Sequence, residues 1–128
     1  MIANLLPFVF VALQPVSGIA APAEEVKEVA PLPANQQGAI RCSAAFALIA
    51  ERQRLGDEAA LQYPPLGERG REFFVRASAQ VMDESKLDRE AIAAQLNAQA
   101  VSIIEEGSLE QIMPPCLMLL EASGTVER

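Results

Sequence analysis

Ser85-Lys86-Leu87-Asp88-Arg89-Glu90-Ala91-Ile92-Ala93-Ala94-Gln95-Leu96-Asn97-Ala98-Gln99-Ala100-Val101-Ser102-Ile103-Ile104-Glu105-Glu106-Gly107 reads as one helix with both ends marked. Ser85 to Asp88 resembles a capping box in which Asp stands for the usual Glu or Gln. Leu87, Ala91, Ala94, Ala98 and Val101 then share one face, with Ile92, Leu96 and Ile103 on its flank. Gly107 is the expected stop, because glycine accepts the left-handed backbone that ends helices. No stretch of the chain shows the alternation of β-branched residues that a strand needs. The expected fold class is all-α.

Downstream, Ser108-Leu109-Glu110-Gln111 matches a full capping box and opens a further turn. Pro114-Pro115 is expected to restart the chain as the first residues of a last helix, Cys116 to Ala122, stopped by Gly124. Upstream, a helix from Leu66 or Glu68 to Met82 carries Phe74, Ala77 and Val81 as its stripe, with Phe73 alongside and Glu72–Arg76 as an i,i+4 pair. Asp57 caps a short turn through Leu61, which Pro64-Pro65 terminates. The first helix places Cys42, Phe46, Ile49 and Gln53 at helical spacing, flanked by Ala45, Leu48 and Leu55. Gly56 follows as its stop, and Arg52 and Arg54 suit the negative end of its dipole. Residues 39–128 thus form one small bundle of four or five short helices.

Residues 1–23 carry no charged side chain, and Leu5 to Leu13 is an apolar run broken by Pro15. Secretory leaders use an apolar core of roughly 7–15 residues, whereas a membrane-spanning helix needs about 20. The reading is a signal peptide over 1–23. Cleavage after Ala20 uses Gly18 and Ala20 as the small residues, and cleavage after Ala23 uses Ala21 and Ala23. An uncleaved N-terminal anchor is the alternative, and it would be the chain's only membrane contact. Residues 24–38, acidic and interrupted by Pro31 and Pro33, read as a flexible tether. The expected location is periplasmic or secreted.

In an exported chain the two cysteines, Cys42 and Cys116, are expected to form a disulfide. Closing a loop of that length stabilises a fold by about 4.5 kcal/mol in the chain-entropy model. That rivals the whole stability of a small domain. The rival reading is a reactive thiol: Cys116, just after Pro114-Pro115, would sit at a helix N-terminus that favours thiolate. No Cys-x-x-Cys supports it.

Histidine is absent, which removes the commonest general base and transition-metal ligand near neutral pH. Nucleophile elbows, phosphate-binding glycine loops and zinc or calcium spacings are absent too. The remaining acid–base candidates are Asp83 and Glu84, Glu105 and Glu106 with Glu110, and Glu51; each reads as solvated helix-end charge. No catalytic residue, cofactor or metal is expected. The net charge of −7, with nine acidic and three basic side chains in residues 77–128, disfavours nucleic acid. Arg52, Arg54, Arg69, Arg71 and Arg76 could form an anion-binding patch, but interleaved Glu51, Glu58, Glu68 and Glu72 point to ordinary surface pairs.

With a leader, capped short helices, one cysteine in the first helix and one near the last, the chain resembles the periplasmic acid-activated chaperones of the HdeA family. The resemblance is one of layout and carries no residue across. It implies a dormant dimer that loosens at low pH and shields unfolded proteins. The expectation from the residues themselves is a non-catalytic exported envelope protein that binds a protein partner. A small carboxylate- or thiol-dependent enzyme is the alternative.

Overall fold

The computed structural model describes residues 31–124, which form five helices and no strand. These are α1 (Ala34–Arg54), α2 (Glu58–Leu61), α3 (Gly67–Ser85), α4 (Arg89–Glu106) and α5 (Leu109–Ala122). The leader and residues 24–30 of the tether lie outside the described residues. Helix α1 is the axis on which all the others pack, and α3 and α4 each pack on α1 far more than on each other. The main core gathers Phe46 and Ile49 of α1, Phe73 of α3, Ile103 of α4, and Met113 and Leu120 of α5. Phe46 and Phe73 meet edge to face with ring centroids 5.3 Å apart, a geometry that aromatic pairs favour. The disulfide Cys42–Cys116 joins α1 to α5 across 74 residues, with Cα atoms 5.2 Å apart. Such bonds persist in oxidising compartments outside the cytoplasm.

Helix α1 opens five residues ahead of Ala39, within the stretch read as tether. The Pro33 carbonyl accepts from the Gln36 and Gln37 amides, both at 2.9 Å. Leu32 is buried beside Ile40, Val81 and Ile92. Gln36 is buried as well: its amide donates to Glu84 at 2.8 Å, and its carbonyl accepts from the Ser85 hydroxyl. Polar residues that look like linker become folded structure once distant partners satisfy them. Ser85 is thereby drawn into the last turn of α3 and does not cap α4. Asp88 caps it instead, accepting from the Ala91 amide at 2.9 Å.

Two stripes are rotated from the expected positions. In α3 Phe73 is buried and Phe74 only half-buried. In α4 Ile92 and Ile103 face the core, while Ala94, Ala98 and Val101 are exposed. Burying an isoleucine removes far more apolar area from water than burying an alanine, so side-chain volume outweighs the count of apolar positions. Helix α5 is one helix that runs through Pro114 and Pro115. Its buried seam, Leu109, Met113, Cys116 and Leu120, is continuous across both prolines. The carbonyls of Glu110 and Gln111, which lose their donors four residues on, belong to exposed residues that water can reach. Ser108 precedes this helix without capping it by its side chain.

Three expected features appear as read. Asp57 caps α2 by accepting from the Ala59 amide at 3.0 Å. Gly56 (φ 78°) follows the end of α1, and Gly107 (φ 63°) ends α4.

Candidate functional site

None of the acid–base candidates converge. Glu51 pairs with Arg54 on the surface at 2.6 Å. Glu84 accepts from Gln36 and Gln80, which serves the α1–α3 contact. Asp83, Glu105 and Glu110 are exposed. Glu106 accepts from the Ser102 hydroxyl at 2.8 Å, from Arg41 at 2.9 Å and from the Ser108 hydroxyl at 3.2 Å. The Ser102 bond first, then Arg41 and Ser108, hold its carboxyl below the usual carboxylate range. Arg54 does the same for Glu51, chiefly through its hydrogen bond. Among the described residues no three His, Cys, Asp or Glu side chains group as a metal set. Cys116 lies mid-helix, buried and disulfide-bonded, so the helix-terminus thiolate reading falls.

Two polar side chains organise the fold in ways that spacing did not reveal. Arg41 ties α1 to the α4–α5 corner by donating to Gln99 at 3.1 Å, Glu106 at 2.9 Å and Ser108 at 3.2 Å. Gln53, placed by spacing on the face of Cys42, Phe46 and Ile49, shapes the turn after α2. Its amide donates to the Ala60, Tyr63 and Pro64 carbonyls, and its carbonyl accepts from the Leu66 amide. Within the arginine group Arg54 pairs with the interleaved Glu51, whereas Glu72 and Arg76 do not pair among the described residues.

The surface feature with binding capacity is an apolar groove of about 770 Å³. Lys86-Leu87-Asp88 separates α3 from α4, which pack on α1 far more than on each other and leave a groove between them. Ala44, Ala47 and Leu48 of α1 form the floor. Phe74, Val75, Ser78, Ala79 and Met82 form the α3 wall. Arg89, Ile92, Ala93, Leu96, Asn97 and Ala100 form the α4 wall. Ala47, Val75, Ala79, Ala93 and Asn97 are exposed, so the groove meets solvent along its length. A smaller hollow of about 230 Å³ shares Ala47, Phe74 and Leu96 with it and extends the line to Gly70 and Arg71. The Ser78 hydroxyl in the wall is buried and has no hydrogen-bond partner among the described residues.

The sequence carries a signal for this groove: a helix with apolar residues on several sides, such as α4, has more apolar surface than one core contact covers. Among the described residues no helix is long and apolar enough to cross a membrane. The chain matches no known family model, and no curated protein or solved structure shows significant similarity to it, which leaves the likeness to HdeA-type chaperones one of layout alone.

Proposed function

We propose that this protein is a non-catalytic, exported cell-envelope module that binds a partner protein through the groove between α1, α3 and α4. The groove itself is the observation that carries this reading: an open, mainly apolar surface with no carboxylate among the described residues that line it. Exposed apolar surface organised in this way marks an interaction or ligand-binding surface. The disulfide supports an oxidising location, and the uncharged leader supports export.

Site-specific photocrosslinking in intact envelopes tests it. A benzophenone side chain in place of Ala79, in the groove, should give a discrete protein adduct; one in place of Gln111, exposed on α5, should not. Ala47→Glu, which places a charge on the floor, should remove the adduct. Equal adducts at both positions, or none at either, would count against the reading.

A second reading is favoured by the Arg41–Glu106–Ser108 clasp. Acid protonates Glu106 and loosens that corner, as an acid-activated chaperone requires.

A further inference from the structure

We infer that the occupant of the groove is an amphipathic α-helix of about three turns, with an acidic side chain at each end of its apolar face. This rests on the partner-binding reading above. Residues 71, 74, 75, 78, 79 and 82 of α3 follow the succession i, i+3, i+4, i+7, i+8, i+11, and residues 89, 92, 93, 96, 97 and 100 of α4 follow it too. That succession is the seam along which one helix packs on another. Two such seams over α1 outline a fourth-helix position that none of the described residues fills. Alanines at 47, 79, 93 and 100 leave room for a helix axis at the usual packing distance of about 8–10 Å.

Charge selects the occupant. Each seam begins with an arginine, Arg71 on α3 and Arg89 on α4. Because the chain reverses at 86–88, the two arginines fall at opposite ends of the groove. Eleven residues of helix span about 16 Å, close to three full turns, so two acids eleven apart on a partner helix lie on one face. Both arginines are exposed and make no hydrogen bond or ion pair among the described residues, although Glu68, Glu72 and Glu90 are close in sequence. In a chain of net charge −7, two unpaired cations framing an apolar slot complement an acidic ligand. An acyl chain has one anionic head and uses only one of them.

The test uses the purified disulfide-bonded protein and fluorescein-labelled 18-residue Ala/Leu amphipathic peptides, read by anisotropy. One peptide carries Glu at two positions eleven apart on its apolar edge. Others carry Gln or Lys there, or Pro at the centre. The Glu peptide should bind about five- to tenfold more tightly than the Gln peptide, as two exposed ion pairs allow. That margin should shrink as salt is raised. The Lys peptide should be weaker than both, and the Pro peptide should fail. Arg71→Glu with Arg89→Glu should reverse the preference to the Lys peptide; both sites are exposed, and helical circular dichroism checks the fold. Equal binding of all three charge variants overturns the end-acid inference but leaves the groove reading standing. Binding of sodium palmitate with no peptide binding also overturns it, as does self-association in sedimentation that blocks every peptide. Absence of peptide binding together with absence of the Ala79 adduct removes both readings.

Discussion

At the scale of single residues, two glycines of similar sequence character have opposite meanings. A Cβ added at Gly70 would stand 3.0 Å from the Phe46 Cβ, whereas one added at Gly38 would meet nothing within 4 Å. Alanine is preferred over glycine inside a helix by about 1 kcal/mol. Gly38→Ala should therefore stabilise by roughly 0.5–1 kcal/mol. Gly70→Ala should destabilise by about 1–2 kcal/mol despite the same preference, because the overpacked α1–α3 crossing must open. Denaturant melts of the two variants decide it, and equal signs would show that the crossing yields. Nothing local in the sequence separates these glycines; the difference is Phe46 of α1, against which α3 packs Gly70. Gln53 makes the same point, since its partners at 60–66 exist only after the chain turns back. The Asp57 cap was legible because it bonds an amide two residues away, whereas Ser85, read in the same way, is taken by Gln36 of a distant helix, and Ser108 makes no side-chain cap.

At the scale of elements, helix type and number followed from local periodicity, whereas helix facing did not. Helix α4 carries apolar residues on several sides, and only the position of α1 decides that Ile92 and Ile103 turn inward. The two-proline step in α5 was misread for a similar reason. Taken locally, Pro114-Pro115 starts a helix; the apolar seam packed on α1 holds one helix through both. Helix α5 is covalently bound to α1 through Cys42–Cys116. Non-reduced protein should be two hydrogens lighter than reduced protein and show no free thiol. Cys42→Ser should lower stability by up to about 4.5 kcal/mol, as the unfolded chain regains its loop entropy. Hydrogen exchange should locate the first loss of protection in α5, which makes its main described contacts with α1 alone. Early loss in α3 instead would show that α5 is held mainly by packing.

At the scale of the whole molecule, acid response follows from composition and two carboxylates. Without histidine, no side chain with an ordinary pKa titrates between pH 8 and 6. Glu51 and Glu106 are held below their usual range in the folded state. Their stabilisation is therefore complete above the unfolded glutamate pKa and is lost as pH falls through the lower folded values. Thermal melts should show stability nearly flat from pH 8 to 6 and declining below about pH 4. Glu106→Gln should flatten part of that decline and cost stability at neutral pH. The chaperone reading further requires dye binding with retained helical signal at low pH, together with suppressed client aggregation. A fold unchanged at pH 3 would remove it. Export is tested by intact mass: protein from the envelope should begin at Ala21 or Glu24, and an intact Met1 in the membrane fraction would show an anchor.

The sequence by itself determined the all-helical class, the turn and stop residues and the pairing of Cys42 with Cys116. Those features depend on local hydrogen bonding, on backbone conformation within a turn, or on there being only two cysteines to join. Tertiary structure alone decided which face of α4 is buried, that residues 32–38 belong to the domain, and that α3 and α4 stand apart to leave a groove. Each of these is a competition between surfaces distant in sequence for burial against α1, and its outcome depends on side-chain volumes and crossing geometry that no single segment contains.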